Sequence, residues 1–272
     1  MRLTIVPVAT LALSLLAVAA PSGLAEDVKV RLKVGETYRY ETESTMIMEV
    51  MGEQEEIDSS QIVAFSALSA KGGWTKLEAK IEEFDMDESP FMEGADLDFL
   101  KDAVFSFEVN DRGQTREFKM DSGGGDDPMM SQILDSIMRG ANSFGFMGIS
   151  LPKGPLKVGM TWTKEIDADV LFGEAGMFED VDGKLEIESE ITKFGTVDGR
   201  RMMTIASIMS GAMSMTIMGG DASMEMESQI VTLITVSDGL VYSSEAEGTN
   251  LMESSFFEME QRMSSKTKRL MK

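Results

Sequence analysis

Histidine and cysteine are both absent from the 272 residues. Without cysteine there is no disulfide framework and no thiolate chemistry. Without histidine the chain lacks the usual general base near neutral pH and the commonest metal ligand. Aromatic residues are sparse at 7%, with three tyrosines and two tryptophans. Positive charge is scarce too: 25 Lys and Arg stand against 47 Asp and Glu, for a formal net charge of −22. A chain so acidic is repelled by nucleic acid and by anionic lipid surfaces, which argues against nucleic-acid binding. After the first residues no apolar run is long enough to span a bilayer.

The one long apolar run, Leu3 to Ala20, follows a single charge at Arg2 and precedes the small-residue stretch Gly23-Leu24-Ala25 before Glu26-Asp27. This is the layout of a secretory signal peptide over residues 1–25, cleaved near Ala25, and it predicts a secreted or periplasmic protein. No cysteine follows it to carry a lipid anchor.

Two near-copies stand out in what remains. Lys33-Val34-Gly35-Glu36-Thr37-Tyr38 returns as Lys157-Val158-Gly159-Met160-Thr161-Trp162, 124 residues on. Gly73 and Gly199, then Gly113 and Gly239, repeat at a spacing of 126. The chain is expected to be an internal duplication, with half-repeats over 28–122 and 153–250 inside a single β-rich domain, 26–272. A linking helix is expected over 128–140, and a C-terminal strand over 256–270.

Strand alternation dominates. Val28, Val30 and Leu32 share one face, and Tyr38, Tyr40 and Thr42 continue after the Gly35 turn. Lys71-Gly72-Gly73, Asp182-Gly183 and Asp198-Gly199 read as hairpin turns. Trp162 to Val170 reads as a strand, as do Met202 to Met209 and Met213 to Met218. Ala95 to Ala103 has helical spacing. The clearest helix opens at Asp127-Pro128, where Asp127 caps and proline suits the first position. Its apolar stripe is Met130, Ile133, Leu134, Ile137 and Met138, and Gly140 ends it. The expected fold is mainly β: a curved antiparallel sheet or half-barrel from two duplicated halves, with one or two short helices packed on it.

Motifs that carry chemistry are few. Gly123-Gly124-Gly125 precedes a helix, but no Lys-Ser/Thr follows and Asp126-Asp127 would repel an anion. Ser265 and Lys268 fit S-x-x-K without any partner motif. Asp85, Asp87 and Glu88 form an acidic loop, yet Pro90 breaks any calcium-loop spacing. The basic tail of Arg262, Lys266, Lys268, Arg269 and Lys272 reads as compensation for nearby carboxylates. No catalytic residue, cofactor or metal centre is called, and the chain is expected not to be an enzyme.

Methionine is abundant, with 25 residues, eight of them between Met202 and Met226. A two-residue turn at Gly219-Gly220 or Gly220-Asp221 would put Met213, Met215, Met224 and Met226 on one side. A three-residue turn would oppose them to Ser214 and Thr216. Three readings stand: core filler, a soft Cu(I) site, or the lining of an adaptable groove for a greasy ligand.

The opening Leu32-Lys33-Val34-Gly35-Glu36-Thr37-Tyr38-Arg39-Tyr40 and the mid-chain Leu151-Pro152, Pro155-Leu156-Lys157-Val158-Gly159 and Thr161-Trp162 resemble a family of secreted bacterial proteins with the same two signposts. Those motifs are structural, and no functional residue comes with them. At fold level the expected sheet also resembles the LolA and LppX type of envelope lipid carriers, without the lipoprotein cysteine that the LppX type carries. The resulting expectation is a non-enzymatic extracytoplasmic binding protein with a lipid or other apolar ligand between sheet and helix. Its lining would be Met130, Ile133, Leu134, Ile137 and Met138 facing Met213, Met215, Met224 and Met226. The alternatives are a methionine-rich envelope Cu(I)-binding protein and a structural or interaction module.

Overall fold

The computed structural model describes residues 25–50, 52–87, 103–122, 143–172, 178–217, 219–255 and 257–271. The expected helices at 95–103 and 128–140 and the Gly123–Gly125 run lie outside them, apart from Ala103, which is buried just ahead of β4. Eleven antiparallel strands form one open, curved sheet. The first five are β1 (Thr37–Val50), β2 (Glu53–Lys71), β3 (Trp74–Met86), β4 (Val104–Asn110) and β5 (Thr115–Ser122). After β6 (Thr161–Asp167) and a one-turn helix α1 (Ala168–Phe172) come β7 (Phe178–Val197), β8 (Arg200–Ile217), β9 (Gly220–Thr235), β10 (Val241–Ser254) and β11 (Glu258–Leu270). Their order is β5-β4-β3-β2-β1-β11-β10-β9-β8-β7-β6. Each half is a meander, and β11 stitches the two together along β1 and β10. No helix among the described residues is long and apolar enough to cross a membrane.

Alternation decides which way each side chain points, because successive residues of a strand face opposite sides. Tyr38 and Tyr40 of β1 are buried inward, while Arg39 and Glu41 lie on the other face, where Arg39 grips Glu82 at 2.7 and 2.9 Å. In β3 the inward set Leu77, Ala79 and Ile81 is buried, as the pattern required. The outer face carries most of the charge. There Lys266 pairs across the ladders with Glu43 and Glu245, and Lys268 with Glu41. The basic tail thus sits between two acidic strands. The Lys266 amine lies 3.7 Å from Glu245 with both side chains well exposed, so this neutralises like-charge repulsion but adds little stability.

Several local readings give way to the structure. Val28–Leu32 is extended and buried at Val28 and Val30, but it is no strand of the sheet. It crosses one end of the molecule: Val30 N–H donates to Asp111 O at 2.9 Å and Arg31 N–H to Asp238 O at 2.8 Å. These acceptors sit in the β4–β5 and β9–β10 turns. Glu26 then closes a two-way backbone bridge with Leu156, at 2.7 and 2.8 Å. Asp182-Gly183 is not a hairpin turn but lies inside β7. A Cβ on Gly183 would stand 2.5 Å from Ala212 O, so the glycine serves close strand approach next to an irregularity at Glu179–Asp182. β8 runs unbroken through Ser210-Gly211-Ala212. The strand expected over Trp162–Val170 stops at Asp167, where α1 begins and buries Ala168 and Leu171.

The two signposts have matching geometry. Glu36 N–H donates to Lys33 O at 3.0 Å, and Met160 N–H to Lys157 O at 3.1 Å. Gly35 bonds Ala67 O and Gly159 bonds Ile191 O, both at 2.8 Å, with return bonds at 3.0 Å. The glycines share a left-handed backbone, φ +85° and +77°. Just beyond, the β2–β3 ladder shifts register at Ala67/Ser69 and the β7–β8 ladder at Ile191/Lys193. Tyr38 pairs with Phe65, and Trp162 with Ser189, at the same spacing. Their surroundings differ in burial, because β1 is central and β6 is an edge strand.

Two measurements check this core. A Cβ on Gly239 would lie 2.2 Å from Lys29 O at φ +66°, whereas Gly199 has equally strained backbone, φ +74°, and open space. Gly199→Ala should cost about 1 kcal/mol in chemical denaturation, and Gly239→Ala about 3 kcal/mol or more because the crossing segment must also move. Tyr40 is 1% exposed and its hydroxyl has no hydrogen-bond partner among the described residues. Removing an unpaired buried hydroxyl relieves a desolvation penalty, so Tyr40→Phe should leave stability unchanged or raise it. A loss above about 1 kcal/mol would reveal a partner for that hydroxyl.

Candidate functional site

A tight loop is laid on the inner face where the first half hands over to the second. Phe146 N–H donates to Gly113 O at 2.7 Å and Leu151 N–H to Arg112 O at 2.8 Å, so the loop hangs from the β4–β5 turn. Ile149 N–H returns to Phe146 O at 3.1 Å. Gly145 has φ +90° and would bring a Cβ within 2.5 Å of Ile149 O, so only glycine fits. Phe146 enters an aromatic cluster, with its ring 5.2 Å from Phe65. Met147, at the tip, holds φ +54°. For a residue with a side chain that conformation is uncommon and is kept only where the surroundings enforce it.

Two cavities flank Met147. One, of about 220 Å³, is walled by Val63, Phe65, Ile81, Phe105, Phe107, Phe118 and Phe146 and has no titratable side chain in its lining. The other, of about 210 Å³, lies between the loop and strands β6–β10. Its walls are apolar at Phe144, Ile149, Trp162, Ile187, Ile205, Met209 and Ile230, and hydroxylic at Ser189, Ser207, Thr232 and Ser244. The hydroxyls are paired, Ser189 with Ser207 at 2.8 Å and Thr232 with Ser244 at 2.9 Å. This satisfies groups whose burial would otherwise be costly. The pattern continues across the sheet, where Thr42 meets Thr267 at 3.0 Å. A hydroxyl belt therefore divides the inner face into two apolar ends.

Lys164 also lines the second cavity. It shares the inward parity of Trp162 and Ile166 on β6, and it makes no ion pair or hydrogen bond among the described residues. Burial holds its ammonium below the usual lysine range. A signal for it was present in the sequence: Trp162, Lys164 and Ile166 alternate with Thr163 and Glu165, so the lysine stands in the apolar register.

The methionines expected to line a ligand site lie elsewhere. Ile217 pairs with Gly220, leaving two residues for the turn, and Met213 faces Met224 directly. Met213, Met215, Met224 and Met226 share the inner face. The first three are buried in a cluster with Ile166, Leu171 and Leu185, and Met226 packs at its margin. None of the four lines either apolar cavity. Met130, Ile133, Leu134, Ile137 and Met138 lie outside the described residues. Ser265 and Lys268 sit three apart on a regular strand, hence on opposite faces, and cannot act together. Asp85 and Asp87 border a separate polar hollow of about 510 Å³ with Glu43, Asp58 and Lys266. Among the described residues no group of three or more acidic side chains is arranged to hold a metal ion.

No protein-family model matches the chain, and no curated protein matches it. Among solved structures, one described as lipid–protein interactions in lipovitellin aligns over 88% of this chain and 25% of that chain, with 11% identity and a TM-score of 0.53. The likeness is one of fold, and this chain spans about a quarter of that protein's length. An outer membrane lipoprotein-sorting domain from Vibrio parahaemolyticus aligns over 84% of this chain and 83% of its own at 10% identity, with a TM-score of 0.19. A DUF1329 family protein from Desulfovibrio piger aligns over the same shares at 7% identity, with a TM-score of 0.17.

Lys164→Met is expected to raise thermal stability at neutral pH, since it removes a half-buried charge with no counter-ion among the described residues. The folded-state pKa is lowered, so the penalty is full below that value and fades as pH rises towards the unfolded lysine value. The gain in melting temperature should therefore shrink on the alkaline side; a constant gain would show that packing alone is responsible.

Proposed function

We propose that the chain is a non-enzymatic extracytoplasmic binding protein that holds a lipid or other apolar small molecule on the inner face of its sheet. One observation carries this reading: two apolar cavities meet at Met147, under a loop that glycines pin to the sheet. Each is smaller than the roughly 300–1,000 Å³ of common ligand sites. Methionine has three rotatable bonds, and a change of its rotamer would join the two into one elongated space. Among the described residues Lys164 is the one titratable side chain lining the pair, which favours binding over acid–base catalysis. The fold likeness to lipovitellin, a protein described by its lipid interactions, supports the same reading. The leader over 1–25 delivers the protein across the membrane.

Native mass spectrometry of the secreted protein should show an adduct of several hundred daltons that organic extraction removes. Met147→Asp should weaken uptake of an apolar fluorescent probe about tenfold or more, by placing a charge between the cavities, with far-ultraviolet dichroism unchanged. A clean apo mass together with no probe binding would overturn the proposal. An adduct removed by a chelator would instead favour the methionine row as a Cu(I) site.

We also infer that 28–122 and 153–250 are two copies of one unit, on the strength of the matched turns. Gly35→Ala and Gly159→Ala meet the same backbone geometry and the same empty space. Each should cost about 1–2 kcal/mol, and the two costs should agree within about 0.5 kcal/mol. Widely different costs would mean that the two turns are supported differently.

A further inference from the structure

The walls of the 210 Å³ cavity are neutral apart from Lys164. The chain around it is very acidic, yet among the described residues no acidic side chain lines this space, and the carboxylates of β6 and β7 that approach a lysine do so elsewhere, as Glu165 does with Lys184 at 2.9 Å. An ammonium held on an apolar face with no counter-ion is a costly arrangement in the empty protein. Burial has already lowered the affinity of this amine for its proton, and an incoming anion would restore it.

We propose that Lys164 is the anion-recognition residue of this cavity and that its ligand is a single-chain carboxylic acid. The proposal rests on the apolar-ligand reading above and specifies its head group. The carboxylate sits against the Lys164 ammonium. Ser189 lies diagonally across the β6–β7 ladder from Lys164 and is bonded to Ser207. Two hydroxyls carry two protons, and the bond between them uses one, so the other is free to donate to a carboxylate oxygen. The hydrocarbon chain then runs over Ile187, Ile205 and Met209 towards Met147. The volume suits one chain and not two. A lone ammonium with a hydroxyl pair, and no guanidinium fork in the lining, suits a monoanionic carboxylate better than a phosphate.

Titration calorimetry with decanoate, decanol and decyl phosphate tests this on the mature chain and on Lys164→Met, with Lys184→Met as the outward-facing control. The unaltered protein should bind decanoate about ten- to a hundredfold tighter than decanol, the range of a charge-assisted hydrogen bond. Lys164→Met should abolish that preference while still binding decanol, which also shows that the variant is folded. Lys184→Met should retain the preference. Equal binding of decanoate and decanol by the unaltered protein would overturn the role of Lys164 and leave the apolar site standing. Tighter binding of decyl phosphate than of decanoate would overturn the carboxylate assignment. Failure to bind any of the three would overturn both this proposal and the carrier reading.

Discussion

Two glycine turns decide how closely the chain can close over one end of its sheet. At Gly239 a Cβ would lie 2.2 Å from Lys29 O, and at Gly113 a Cβ would lie 2.6 Å from Ile149 O. Through these gaps pass the two segments that precede the signposts, 26–32 and 149–156. Each leans on a turn from the opposite half: Arg31 on Asp238, Leu151 on Arg112. They then join to each other between Glu26 and Leu156. This crossing buries Val28, Leu151 and Leu156 against the aromatic and aliphatic inner face. Any side chain at either turn would push a segment off that core. The loop bearing Met147 hangs from the same turn, so the cavities depend on it as well.

That closure is local, and the inner face reflects it. Near the crossing the face is packed with Tyr38, Tyr40, Phe65, Phe107 and Met203. At the far end of β7–β10 a second cluster gathers Met213, Met215, Met224 and Met252. Between them the hydroxyl belt crosses the sheet. Serine and threonine in mutual hydrogen bonds tolerate partial burial and still present protons to whatever enters. Charge is excluded by the same parity rule that builds the sheet: acids alternate outward, and the inner face keeps few ionic groups. Of these Arg269 is answered by Asp238 at 2.9 Å and stacks over Tyr38 at 5.2 Å. Lys164 has no such partner among the described residues.

Alternation made most of the strands legible, because a half-buried strand must place every second residue in the core. The twin signposts gave the two matching turns for the same reason, since each glycine supplies a left-handed φ that its neighbours cannot. What was not legible depends on partners distant in sequence. Asp182-Gly183 looks like a hairpin turn locally, and only the approach of Met213 from β8 shows why a glycine sits inside a strand. Val28–Leu32 alternates like a strand but spends its hydrogen bonds on two turns far along the chain. Parity placed the methionine row on one face only if the turn held two residues, and parity cannot tell a packed face from an open one. Met213 and Met215 fill their cluster, while Met147 and Met209, unremarkable in the sequence, line a cavity.

The two halves share a turn geometry and a register, so their differences are informative. Tyr38 and Trp162 stand at the same place in the pattern, but β1 has β11 on its free side and β6 has no neighbouring strand there among the described residues. Tyr38 is consequently buried, with its hydroxyl receiving the Lys33 N–H at 2.9 Å and donating to Glu36 at 3.0 Å. Trp162 stays half-buried and becomes a cavity wall. Two residues on, the inward position is Tyr40 in β1, 1% exposed, and in β6 the matching register is occupied by Lys164 near the open edge. A central strand encloses its inward position between two neighbours, whereas an edge strand next to a cavity leaves room there for a half-buried cation. The inward lysine of β6 thus stands where the sheet ends, whereas β11 closes the corresponding side of β1 and leaves Tyr40 no such opening.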